Sequence, residues 1–173
     1  MTARLARWLV VPCLVSVLAA CAGTGGTVAA APDPATEAMV AQVRAAAGRD
    51  DTELAVQPLR DPMVEDLREQ AQALEQQRRY PEAVAALEQA LQLVPDDPAL
   101  LQERAEAAVL VGDFATAARL AKRAWDLGAK VGPLCRRHWE TLRQLRLAGG
   151  DAPGVVSAQV QRETCTVAGP ARY

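Results

Sequence analysis

Three prolines, Pro62, Pro98 and Pro133, stand 36 and 35 residues apart, and each opens a segment that reads as helix, turn, helix. Asp61 and Asp97 precede the first two. An aspartate cap followed by proline at the first helical position is a strong start signal, because the carboxylate satisfies an orphan N–H and proline needs none. After Pro62, Leu67, Ala71 and Leu74 recur at spacings of four and three, the stripe of an amphipathic helix. Arg79-Tyr80-Pro81 interrupts it, and a second helix from Pro81 turns Ala83, Leu87, Ala90 and Leu91 inward. Pro95-Asp96-Asp97-Pro98 ends that helix and caps a third, which runs to about Val111. Gly112-Asp113 leads into a fourth that ends at Leu127, with Gly128 at the C′ position just beyond it, where a left-handed glycine commonly closes a helix. Gly132-Pro133 opens a fifth, to about Ala148, and Gly149-Gly150-Asp151 leads into a sixth, to about Cys165. The aromatic share is only 3%. An alanine- and leucine-rich chain of this kind favours helices packed through small side chains over a β-sandwich.

The period is close to the 34 residues of tetratricopeptide repeats. With Val64 as the first motif position, Leu67, Ala71, Leu74, Tyr80, Ala83, Leu87, Ala90 and Pro95 resemble that family's large-small-large signature and closing proline. Leu101, Ala105, Gly112, Phe114, Ala117, Ala121 and Ala124 match in the second repeat, where Ala129 replaces the proline. Ala71 with Ala83, and Ala105 with Ala117, let paired helices approach closely. The third repeat departs, with Trp139 and Leu142 where a small residue is expected. The resemblance implies an all-α fold: about three helical hairpins over 61–165 in a short right-handed solenoid, the divergent last repeat acting as a terminal cap. Residues 166–173 form a short tail.

The N-terminus carries an address. Arg4 and Arg7 precede an apolar run, Trp8 to Val17, and then Leu18-Ala19-Ala20-Cys21. This has the anatomy of a secretory leader, and it resembles a bacterial lipobox. The resemblance implies that 1–20 is a signal peptide and that Cys21 is lipidated; the apolar run is short for a retained membrane span. Ala22 rather than Asp implies passage to the outer membrane, with the chain facing the periplasm. Residues 21–60 then form the lipidated tether. Within it, the pattern allows a short helix over Thr36 to Ala47, capped by Thr36 and carrying Met39, Val40 and Val43 on one face, and an extended arm over Glu53 to Pro58. Cys13 leaves with the leader and Cys21 is consumed by lipid, so Cys135 and Cys165 remain in an oxidising compartment. They lie near the start of the fifth helix and the end of the sixth. In an antiparallel pair those ends are neighbours, which favours a disulfide over two separate thiols.

Signals of chemistry are sparse. The chain has 1 histidine, His138, which excludes a two-histidine metal site and reads as a partly exposed helix residue beside Trp139. The glycines of Gly23 to Gly26 have no flanking strand and helix to make a phosphate loop. Cys135 and Cys165 lack Cys-x-x-Cys spacing. The formal charge is −2; losing Arg4 and Arg7 from the 19 basic residues leaves 17 against 21 acids, so no basic face for nucleic acid is offered. The expectation is therefore no catalytic residues, metal, cofactor or small-molecule substrate. What remains is surface. The first helix of each hairpin lines the concave side of a curved stack, which puts Glu65, Arg68, Gln72, Glu75, Gln102, Glu106, Arg137 and Thr141 forward as partner-binding residues. Trp125 and Trp139 are expected in the core of the last repeat.

A narrower resemblance rests on three openings. Glu53-Leu54-Ala55-Val56-Gln57-Pro58-Leu59-Arg60-Asp61-Pro62 leads into the first repeat, Pro98 to Glu106 opens the second, and Gly132-Pro133-Leu134-Cys135 followed by Trp139 opens the third. Together they resemble the outer-membrane lipoprotein activators of class A (bifunctional) penicillin-binding proteins in pseudomonads and their relatives. That implies a protein partner, a peptidoglycan synthase whose glycan polymerisation and crosslinking the repeat domain stimulates, and a membrane contact through the lipid alone. A scaffold or pilotin for an envelope assembly, such as a type IV pilus or secretion system, is the alternative reading.

Overall fold

The computed structural model describes residues 31–48 and 61–166. They form seven helices: α1 (Pro34–Ala45), α2 (Pro62–Gln76), α3 (Tyr80–Leu93), α4 (Pro98–Leu110), α5 (Phe114–Leu127), α6 (Pro133–Ala148) and α7 (Ala152–Thr164). The leader, Cys21, the extended arm at 53–58 and the tail from 167 onward lie outside the described residues. Among those described, no helix is long and apolar enough to cross a membrane.

One start device recurs along the chain. The carboxylates of Asp33, Asp61 and Asp97 accept from backbone N–H groups two residues on, each at 2.8 Å, and a proline follows each aspartate. Asp113 and Asp151 accept from Thr116 and Gly154 at 3.0 and 2.9 Å. Substituting such a cap typically costs about 1 kcal/mol, so repeated caps fix where the helices begin. The cap of α1 is Asp33, not Thr36; the Thr36 hydroxyl instead donates to the Asp33 carbonyl oxygen at 2.9 Å and is buried in the first turn.

The helices pack as antiparallel hairpins α2–α3, α4–α5 and α6–α7, which follow one another through α3 against α4 and α5 against α6. The three turns match bond for bond. The N–H groups of Arg79, Asp113 and Asp151 donate at 2.9 Å to the carbonyls of Leu74, Ala108 and Arg146, five residues back in each case. That closure needs a left-handed residue just before the donor. Gly112 and Gly150 supply it at φ 78° and 72°, whereas the first turn uses Arg78 at φ 58°.

Small residues set the hairpin spacing as the repeat pattern implies: Ala71, Ala83, Ala105 and Ala117 are all buried. Val64, Leu74, Leu87 and Leu100 fill the core of the first hairpin and the start of α4. Leu101, Leu120, Trp139, Leu142 and Ala158 fill that of the last two hairpins. Trp125 packs edge-on to Trp139 with ring centroids 5.2 Å apart, so both tryptophans belong to this core. Cys135 and Cys165 are bridged, Sγ to Sγ 2.03 Å, and the bond joins the start of α6 to the end of α7. Gly128 is not a left-handed helix terminator. Its backbone is extended (φ −85°, ψ 176°), and a Cβ there would sit 2.8 Å from the Ala124 carbonyl oxygen and 3.2 Å from Cβ of Pro98. Glycine stands there because α4 and α5 come that close.

Candidate partner-binding groove

The helix α1 does not pair with a neighbour in sequence. It lies across α4 and α6, the first helices of the second and third hairpins. Its Val40 and Val43 are buried, and Val40 packs in a cluster with Tyr80, Ala108, Val109 and Leu110. A 12-residue helix is marginal alone in water, so these contacts account for its order.

Three polar anchors hold α1. Near its start, Glu37 accepts from the Tyr80 hydroxyl at 2.6 Å and pairs with Arg78 Nε at 3.1 Å, which ties it to the α2–α3 turn. Burial, together with the Glu37 carboxylate, pushes the Tyr80 phenol up to about 12, so it remains a donor at any physiological pH. Near its end, Arg44 donates from Nε to Glu106 at 2.9 Å and from Nη2 to Glu75 at 2.7 Å. Burial opposes the Arg44 charge, but the two carboxylates outweigh it and raise its pKa. Burial likewise raises the pKa of Glu75, with Arg44 pulling the other way. Beyond the last turn, Arg136 of α6 donates from Nε to the carbonyls of Ala46 and Ala47 at 3.2 and 3.1 Å, and from Nη2 to Ala47. A guanidinium there satisfies orphan carbonyls and meets the negative end of the helix dipole.

Beneath α1 runs a polar chain. Glu106, fully buried, also accepts from Arg137 Nε and Nη2 at 3.0 and 2.6 Å and from Gln102 Nε2 at 2.9 Å. Gln102 Nε2 also donates to the Thr141 hydroxyl at 2.8 Å, which passes its own proton to the Arg137 carbonyl at 2.9 Å. With both amide protons committed, Gln102 Oε1 is left to accept from His138 Nδ1 at 2.7 Å. That fixes the imidazole tautomer and leaves Nε2 as a bare acceptor without a partner, against the space left by the absent side chain of Gly128. His138 is fully buried, not partly exposed. Burial, with Arg137 and Lys130 nearby, pushes its pKa down to about 3, so the ring is neutral.

The structure thus brings together seven of the eight residues expected on the concave side, all but Glu65, and separates them by accessibility. Gln102, Glu106 and Thr141 are buried, Glu75 and Arg137 are partly covered, and Gln72 is exposed. Arg68 pairs with Glu65 at 2.8 Å and also with Glu103, further along α2. Between α1 and α2 a cleft of about 660 Å³ remains open, lined among others by Arg44, Arg68, Gln72, Glu75, Tyr80 and Leu110. Sequence reasoning missed the occupant of the groove. It also missed Glu37, Arg44, Arg78 and Arg136, whose roles need a tertiary partner that no local pattern announces.

A second buried carboxylate serves the last hairpin. Glu140 accepts from Arg143 at 2.9 and 2.6 Å, Gln144 at 2.7 Å and Arg162 of α7 at 2.7 Å. Burial opposes its ionisation, but these donors together lower its pKa. Among the described residues, no group of three or more His, Cys, Asp or Glu could hold a metal ion. The polar side chains beneath α1 are engaged with one another and with α1.

Comparison with known proteins agrees with this architecture. Residues 64–107 match the tetratricopeptide repeat family. No curated protein sequence matches the chain. Among solved structures, the chain is similar to the globular C-terminal domain of P. aeruginosa LpoP, at 27% identity and a TM-score of 0.57, over 61% of this chain and 99% of that one.

Proposed function

We propose that this chain is an outer-membrane-anchored lipoprotein, lipidated at Cys21, whose repeat domain binds and activates a class A penicillin-binding protein in the periplasm. The observation that carries this reading is the likeness to the LpoP domain over 99% of its length. That domain comes from a pseudomonad, the group to which the three repeat openings pointed. The absence of reacting groups around the groove fits a protein that works by contact. Activation by contact requires greater affinity for the active arrangement of the synthase than for the resting one. The test is to add residues 22–173 to purified class A synthases and measure glycan polymerisation. A rate rise with one synthase supports the reading. No effect on any, together with co-purification of secretin or pilus subunits from crosslinked membranes, replaces it with the scaffold reading. Labelling with a clickable fatty acid, lost in Cys21→Ser, tests the anchor.

A further inference from the structure

α1 occupies one side of the groove in this structure, and it is held there mainly by polar contacts. Of the buried Gln102, Glu106 and Thr141, Glu106 meets α1 directly through Arg44, and the other two join it in one hydrogen-bonded chain. The hairpins carry buried ion pairs too, such as Glu140 with Arg162, but there large apolar clusters lie beside them, whereas α1 adds only small side chains to its polar contacts. A polar, ion-paired contact of this size has the composition of an exchangeable interface. The seal of α1 is small. Thr36, Val40 and Val43 are its buried side chains, and its remaining hold comes through Glu37, Arg44 and the carbonyls that Arg136 meets. Arg44 itself is half exposed although its carboxylate partner Glu106 is fully buried. The socket is therefore deep and its plug shallow.

We propose that α1 is a built-in competitor for the concave groove. A helical segment of the partner, with two small β-branched residues three apart and an arginine directly after the second, takes its place, and that arginine enters between Glu75 and Glu106. The chemistry of the incoming segment is read from Val40, Val43 and Arg44, the side chains that fit now. Since α1 is tethered to its site by a short stretch of chain, it competes at high effective concentration, and a partner must outbid it. The groove is thus closed until a matching helix arrives. This rests on reading the repeat domain as a binding module, but not on which synthase it binds.

The test uses residues 21–173 carrying Cys21→Ser, with a protease site inserted after Gly48 so that α1 can be cut free. The probe is a fluorescein-labelled peptide of residues 31–48. After cutting, size exclusion at micromolar protein should separate the α1 fragment from the domain. The stripped domain should bind the peptide at least tenfold more tightly than the uncut chain does, and a peptide carrying Arg44→Ala should lose at least tenfold. Val43→Asp opens the groove without a cut and should admit the same peptide, with a loss of helical circular dichroism no larger than the share of α1 and an intact Cys135–Cys165 bond. Retention of the cut fragment at nanomolar protein, or equal peptide binding by open and closed forms, overturns the exchange. These arms need no synthase, so failure of a synthase to bind either form strikes the functional reading instead.

Discussion

Glu106 is the side chain on which the groove depends most, and Glu106→Gln is the most informative perturbation. The carboxylate is fully buried and holds Arg44, Arg137 and the Gln102 amide. Removing one partner of a buried pair typically costs about 3–5 kcal/mol, because the other charge is stranded. Here the side chains of Arg44 and Arg137 are 48% and 22% exposed, so both can turn toward water when released. That relief brings the expected cost down to about 2–3 kcal/mol. With a urea slope of about 1.5 kcal/mol/M, the unfolding midpoint should fall by about 1.3–2 M. Followed by circular dichroism, the same experiment on Arg44→Ala should give about 1 kcal/mol, as that side chain is half exposed. The double variant should fall short of additivity by about 1 kcal/mol, since each change removes the other's partner. Hydrogen exchange should report faster opening of α1 in Glu106→Gln. A midpoint within about 0.3 M of the parent, or additivity to within about 0.3 kcal/mol, would refute the claim that Glu106 anchors α1.

Other parts of the fold make separate predictions. Replacing Cys135 and Cys165 by alanine opens a loop with a sequence separation of 30; on the chain-entropy model this costs about 3–4 kcal/mol, read as a drop of about 10–20 °C in melting temperature. Gly128→Ala places a Cβ against the Ala124 carbonyl oxygen and Pro98, and should cost about 1–3 kcal/mol by urea titration. Arg78→Gly relieves a left-handed residue in the first turn at a gain of about 1 kcal/mol, but it also removes the pairing with Glu37, so the full gain should appear only in a Glu37→Gln background. His138 predicts an acid limb. Its folded pKa lies near 3 and its unfolded one at 6.5, so the unfolded chain takes up a proton that the folded chain refuses. Its contribution to stability is complete above the unfolded value and is lost as pH falls toward the folded one, with a slope of at most about 1.4 kcal/mol per pH unit. His138→Asn keeps a donor for Gln102 and cannot titrate, so urea midpoints between pH 7 and pH 4 should decline less steeply than in the parent; parallel slopes would refute the assignment.

Much of the repeat architecture was legible because it is written in local rules. Asp61-Pro62 and Asp97-Pro98 start helices through contacts two or three residues away. Gly112 and Gly150 close turns through bonds five residues back. The disulfide followed from the same logic, because it joins the two ends that an antiparallel hairpin must bring together. The misreadings have one physical source. Thr36 resembles a cap, yet Asp33 three residues earlier has the better acceptor, and the hydroxyl donates back to it. Gly128 resembles a left-handed terminator, yet it answers a steric demand from Pro98, far away in sequence. In both cases a residue type suited to two roles was assigned the local one.

His138 and α1 show where local reading ends. A lone histidine on a helix of arginines and glutamates looks half exposed, because its neighbours Arg136, Arg137 and Glu140 are residues that usually face water. Yet all three are drawn inward or partly covered, each by a partner supplied from elsewhere: the α1 carbonyls for Arg136, Glu106 for Arg137, and Arg162 for Glu140. The polarity that made α6 look like a solvated surface is the polarity that a covering helix can satisfy. A groove lined with such residues is indistinguishable in sequence from an open binding face, because both need hydrogen-bonding side chains at the same repeat positions. What differs is whether a second segment of complementary charge is tethered within reach, and here Val40, Val43 and Arg44 on α1 supply it. Two of the positions expected to greet a partner, Glu75 and Glu106, thus already hold a segment of the chain itself. The same carboxylates that would recognise a foreign arginine are, in the resting molecule, occupied by the chain's own.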